Sequence, residues 1–176
     1  GEGCVAGRKG GAPARQTVNY FIRQCTTRPK SWDVGKSSTF FTQHINRMLF
    51  KESMAQYERI EFLTTLSIAV IDGETLYTAN LGDSHIYLQR DNGPLELLSV
   101  DHNMDDEHMS HVLTQACGLN DHVVPEIKKT KLQVRDSVIL CRDGVSNPLN
   151  DEQLADKTKQ GLNAQINVEN DTKHHI

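Results

Sequence analysis

Two aspartates stand where a carboxylate could do chemistry. Asp143, followed by Gly144, closes an apolar run over residues 136–142. An aspartate at the C-terminal end of a strand can point its carboxylate into a cleft. The glycine after it lets the backbone turn sharply or approach a ligand. Hard cations such as Mg²⁺ and Mn²⁺ take such oxygen ligands. The plain alternative is a strand-to-turn Asp-Gly with no ligand. Gly82-Asp83-Ser84 lies between two strand patterns. A glycine there suggests a bulge or bend at a sheet edge, and Asp83 could then face the same cleft as Asp143. Its plain alternative is a hairpin-type turn.

Other clusters carry less. Asp101, His102, Asp105, Asp106, Glu107, His108 and His111 gather in one stretch. They match neither the H-E-x-x-H pattern nor an EF-hand loop, so they read as a solvated, acidic helix start. Gly35-Lys36-Ser37 has the end of a P-loop, but the glycine required five residues earlier is Lys30, which excludes nucleotide binding by that route. His174 and His175 alone are no metal site. There is no G-x-S-x-G elbow and no Cys/His nucleophile pair.

The elements that must position these residues follow from length and patterning. The 176 residues suit a single domain, 1–176, that buries roughly 70% of its unfolded surface. Lys and Arg number 19 against 23 Asp and Glu, a net charge of −4. That excludes a broadly basic surface for nucleic acid or membrane. No apolar run is long enough to span a bilayer, and the glycine-rich start has no apolar signal region. Cys4, Cys25, Cys117 and Cys141 form no C-x-x-C pair. Cys117 and Cys141 sit in apolar contexts and read as buried free thiols, which favours a reducing, cytoplasmic setting.

Residues 1–15 read as a loop, 16–25 as a short amphipathic helix, 26–38 as a loop and 40–57 as a helix. Strands are predicted over 63–71, 74–80, 84–89 and 95–100, with a hairpin at Asp72-Gly73 and a turn at Asp91-Asn92-Gly93-Pro94. Their spacing predicts an antiparallel meander. Residues 125–132 and 136–142 add two strands, and Asn150 or Asp151 would cap a final helix. The class is α+β, not a βαβ array.

Taken in order, these segments resemble the metal-dependent protein phosphatases of type 2C, especially the compact bacterial form. Thr64-Thr65-Leu66 is similar to that family's Gly-Thr-Thr segment. Residues 74–88, 97–103, 112–118, Val124-Pro125-Glu126 and 136–149 each resemble a family segment and occur in the family's order. Residues 4–21 weakly resemble the Asp-Gly-x-Gly-Gly segment and its following helix. The resemblance implies an antiparallel β-sandwich flanked by helices, in α-β-β-α layers. It implies hydrolysis of phosphoserine and phosphothreonine by a water held on two Mn²⁺ or Mg²⁺ ions. Asp143 would be a ligand of the binuclear centre and Asp83 the ligand of a third, weaker metal. The implied partners are a phosphoprotein substrate and a serine/threonine kinase, with no nucleic acid, no membrane span and a monomeric state.

Several positions depart from the family pattern. Gly7-Arg8-Lys9-Gly10-Gly11 stands where the bridging aspartate is expected, Arg142 where serine is usual and Leu63 where glycine is usual. The sandwich would be incomplete at both ends. Two expectations therefore compete. In one, the chain is a catalytically inactive, phosphatase-like binding module. In the other, metal-bearing stretches are missing from the chain as given, with Ala6–Gly7 as a splice point, and the intact protein is a phosphatase.

Overall fold

The computed structural model describes residues 11–104, 112–141 and 153–155. Two helices open this part of the chain. α1 runs Gly11–Thr27, longer than predicted at both ends. Pro13 falls in its first turn, where a missing N–H costs nothing, and its carbonyl accepts from the Thr17 hydroxyl at 2.8 Å. At the other end the hydroxyls of Thr26 and Thr27 donate back to the Arg23 carbonyl at 3.0 and 2.8 Å, so polar residues extend the helix. The buried stripe is Pro13, Thr17 and Phe21, whereas Ile22, read as part of the apolar face, is exposed.

α2 runs Val34–Tyr57 and also starts earlier than predicted. Asp33 is its N-cap, extended at φ −61° and ψ 129°, and accepts the Lys36 N–H at 2.8 Å. That contact satisfies a donor that the first helical turn leaves unpaired. Gly35 through Ser38 resembled a loop because glycine and serine are weak helix formers. Here Val34, Gly35, Ser37 and Ser38 are buried, and Gly35 lies close to the Ile127 side chain of the sheet. Glu58, left-handed at φ 56°, closes the helix with its N–H on the Met54 carbonyl.

The strands are β1 Leu66–Asp72, β2 Thr75–Leu81, β3 His85–Gln89, β4 Leu95–Leu97, β5 Glu126–Lys131 and β6 Ser137–Cys141. β1 and β2 form the expected hairpin, with Asp72 opposite Thr75. The turn residues are therefore Gly73-Glu74, one position later than predicted. Gly73, at φ 60°, supplies the positive φ that such a turn needs at its first position. Asp91 and Asn92, at φ 41° and 59°, turn the chain between β3 and β4.

The predicted single meander is instead two three-stranded antiparallel sheets, β1-β2-β5 and β4-β3-β6. The break comes at Gly82–Ser84, where the chain leaves β2 in one sheet and enters β3 in the other. Each hairpin then recruits a strand from far along the chain. α1 and α2 cover one face of the first sheet, where Phe21, Phe41, Ile45 and Leu49 pack on Leu66, Ile68, Ala79 and Leu81. Side chains of opposite parity, Ala69 and Leu76, meet Ile86, Leu88, Val138 and Leu140 between the sheets. This alternation is what the two-residue period of a strand produces when both faces are covered. Burying Leu49 or Ile86 completely, as here, contributes about 1.5–3 kcal/mol each.

The architecture is thus α+β, an antiparallel sandwich with helices against it. Of the final predicted helix the described residues include only Gln153–Ala155, which are helical. The acidic helix start is corrected in part. Residues 101–104 are not helical, and Asn103 forms an antiparallel bridge with Leu113; residues 105–111 lie outside the described part. Cys117 is buried as predicted, but Cys141 is only half-buried, because its strand faces away from the inter-sheet core at that position. No helix of the described residues is long and apolar enough to cross a membrane.

Candidate metal site

Asp83 sits at the corner where the chain passes between the sheets. Gly82 makes that corner possible. Its φ is 114°, and a Cβ there would lie 2.5 Å from Thr65 Cγ2. Any side chain at position 82 would therefore displace the β1 entry beneath it. Asp83 itself is half-buried.

Beneath the corner lies a belt of small polar side chains, Thr65, Ser67, Asn80 and Ser84, all buried. Thr65 Oγ1 and Ser84 Oγ share a hydrogen bond of 3.1 Å. Ser67 donates to Asn80 Oδ1 at 2.7 Å, and Asn80 Nδ2 donates to the carbonyls of Gly82 and Val100 at 3.2 and 2.9 Å. Buried polar groups are tolerable when they bond one another in this way, and the network fixes the corner's shape.

The segment after β4 grips the corner from the other side. The Gly82 N–H donates to His102 Nδ1 at 3.0 Å, and the His102 N–H donates to the Gly82 carbonyl at 3.1 Å. Asp101 places both carboxylate oxygens 3.0 Å from His85 Nε2. His85 is paired in register with Cys141 across the β3–β6 ladder. Its imidazole is pushed up to about 10, first by the hydrogen bond to Asp101 and then by one to Cys141, with burial opposing both. Burial holds His102 below the usual histidine value, against the pull of Glu126 and Asp101. Sequence patterning missed these roles for Asp101 and His102, since it treated them as part of a solvated acidic run.

A second brace holds the loop after residue 112. Thr64 and Cys117 exchange backbone hydrogen bonds of 3.0 and 2.8 Å. Gly118, at φ 89°, donates to Asn46 Oδ1 at 2.8 Å. Asn46, fully buried on α2, donates in turn to the carbonyls of Asn120 and Asp121. This ties the helical layer to the Thr64-Thr65 segment that supports the corner.

Of the two predicted metal ligands, Asp83 is placed at this corner and Asp143 lies outside the described residues, as do Ala6 and Gly7. A half-buried carboxylate fits one hydrated hard cation. Among the described residues no group of three His, Cys, Asp or Glu side chains comes together that could hold a metal, so this part of the chain is not by itself a two-metal cradle.

The ordered segments, the two-sheet sandwich and the corner aspartate define a class. The protein phosphatase 2C family model matches residues 4–174, and the chain belongs to that family. Among its relatives, the serine/threonine phosphatase Stp of Listeria welshimeri is 25% identical over 143 residues, covering 72% of this chain and 56% of that protein. Probable protein phosphatase 2C 6 of Paramecium tetraurelia is 35% identical over 98 residues, covering 51% of this chain and 32% of that protein. The chain thus spans about half the length, or less, of these curated relatives. Two solved structures share the fold. PppA, described as a key regulatory component of the T6SS in Pseudomonas aeruginosa, matches at TM-score 0.73 and 21% identity over 86% of this chain and 69% of its own. The catalytic domain of the phosphatase PstP, solved with two manganese ions, matches at TM-score 0.73 and 20% identity over 88% of this chain and 70% of its own.

Proposed function

We propose that the protein is a metal-dependent protein serine/threonine phosphatase, with residues 1–176 forming a single phosphatase-like domain. The observation that carries this reading is the Gly82–Ser84 corner. It is a rigidly braced turn that presents a carboxylate at the end of the sandwich, in a chain of the phosphatase 2C family. Asp83 and Asp143 are the proposed ligands. Asp83 stands two residues before His85 and Asp143 two residues after Cys141, and those two are paired across the ladder. The chain enters β3 at His85 and leaves β6 at Cys141 on the same end of that pair, which supports reading the two aspartates together.

The cofactor in this reading is Mn²⁺ or Mg²⁺, which when bound lowers the pKa of a coordinated water and stabilises charge on phosphoryl oxygens. The residues of this chain hold the ligand turn and shape the sandwich end. The proposed substrate is a phosphoprotein, and a serine/threonine kinase is the proposed partner. A cytoplasmic, monomeric protein fits the half-buried and buried free thiols and the net charge of −4.

A second reading, a catalytically inactive phosphatase-like binding module, is favoured by Gly7-Arg8-Lys9-Gly10-Gly11, where the family motif has its bridging aspartate. Release of inorganic phosphate from a phosphothreonine peptide separates the two. The first reading predicts turnover with Mn²⁺ that stops with EDTA. Peptide binding without turnover at any Mn²⁺ concentration would establish the second.

A further inference from the structure

We propose that His102, in its neutral Nε2–H tautomer, is the positioning residue that locks the Gly82–Asp83 corner and so fixes the direction of the Asp83 carboxylate. The consequence for cation binding rests on the reading of Asp83 as a metal ligand. The lock itself does not.

The tautomer follows from elementary donor and acceptor chemistry. A backbone N–H can only donate, and the Gly82 N–H points at His102 Nδ1 from 3.0 Å. Nδ1 must then offer a lone pair, which leaves the ring proton on Nε2. The contact is reciprocal, because the His102 backbone N–H returns a bond to the Gly82 carbonyl at 3.1 Å. Both polar groups of one peptide residue are thus held by one partner residue twenty positions away. That residue immediately precedes Asp83 and has a φ of 114°.

Asp101, next in the chain to His102, holds His85 two residues beyond Asp83. The dipeptide Asp101-His102 therefore grips the corner on both sides of the carboxylate. The charged groups acting on the His102 ring are Glu126, at the start of β5, and Asp101, and both favour its protonation. Burial opposes them and outweighs both, holding the ring below the usual histidine value. Protonation at Nδ1 would replace the acceptor with a donor facing the Gly82 N–H, and the lock would open.

The test is amide exchange and Mn²⁺ titration by NMR on ¹⁵N-labelled protein, comparing the natural chain with His102→Ala and His102→Asn. An Asn side chain can place an oxygen acceptor near the Nδ1 position and does not titrate. In metal-free protein, His102→Ala should speed exchange of the Gly82 amide about tenfold or more, the change expected for one lost hydrogen bond. His102→Asn should restore most of the protection. In the natural protein, Gly82 protection beyond the intrinsic pH trend should fall as pH is taken well below the ordinary histidine value, and in His102→Asn it should not. Mn²⁺ should broaden residues 82–84 in the natural protein at several-fold lower concentration than in His102→Ala. Unchanged Gly82 protection in His102→Ala, or the same pH response in His102→Asn, would overturn the lock. If the lock behaves as stated but Mn²⁺ broadens nothing at the corner of the natural protein, the reading of Asp83 as a ligand fails while the positioning role of His102 stands.

Discussion

Asn46→Ala should destabilise the protein by about 1.5–4 kcal/mol, and the reason lies in what is left behind. Asn46 is fully buried on α2. Its Nδ2 donates to the carbonyls of Asn120 and Asp121 at 2.9 and 3.3 Å, and its Oδ1 accepts from the Gly118 N–H at 2.8 Å. Asn120 and Asp121 are exposed, so their carbonyls can turn to water. That side of the loss is worth about 0.5–1 kcal/mol. Gly118 is buried and cannot recover its partner so easily. Orphaning a buried N–H costs about 1–3 kcal/mol and is the larger share. Urea unfolding followed by circular dichroism measures the difference. Gln43→Ala, one turn earlier on the same helix, removes only a 3.4 Å bond to the Val123 carbonyl and should cost under about 0.5 kcal/mol. A cost below about 1 kcal/mol for Asn46→Ala, or equal costs for the two variants, would refute this reasoning.

Gly118→Ala should cost more than about 3 kcal/mol, because the new Cβ would run into the Phe62 carbonyl oxygen at φ 89°; a thermal melt at or near the parent value would contradict it. Cys117 is buried, and burial pushes its thiol up to about 12. An aromatic disulfide reagent should therefore leave Cys117 unmodified in the folded protein while it labels the half-buried Cys25 or Cys141, and mass mapping of the adducts checks this. Because burial lowers the His102 value in the fold below its ordinary 6.5, the unfolded chain binds more protons near that pH. The stability that neutral His102 contributes is present above 6.5 and is lost as pH falls through its folded value. Urea midpoints at pH 7 and pH 5 should therefore differ less in His102→Asn than in the natural protein, and equal shifts would exclude the assignment.

Much of the architecture was legible because local patterning and tertiary packing agree. The β1–β2 hairpin needed only a positive-φ glycine between two alternating runs, and Gly73 supplied it one residue from the expected place. The helix starts were not legible. Ser37 and Ser38 look like loop residues, yet they are buried in the first turns of α2, where the Ser37 hydroxyl bonds back to the Asp33 carbonyl. The split into two sheets was implied by the family resemblance and not by local patterning, since Gly82 reads equally as a hairpin glycine or as a corner. The choice is made by Thr65, which is distant in sequence and fills the space where a side chain would go.

Asp83 stood out as a candidate from its neighbours in the chain alone. The residues that hold it did not. The bonds from Asp101 and His102 to His85 and Gly82 span about twenty positions, and no local period encodes them. The one available signal was the adjacency of a carboxylate and an imidazole directly after β4, which composition alone assigned to solvent.

In the proposed centre Asp143 is a ligand of the reactive cation. The decisive measurement is steady-state hydrolysis of a phosphothreonine peptide at saturating Mn²⁺ by the natural chain and by Asp143→Asn. The account predicts Mn²⁺-dependent turnover that falls by about a hundredfold or more in the variant, as expected for removal of a charged ligand at a metal that activates water. Turnover that survives the substitution unchanged would contradict it.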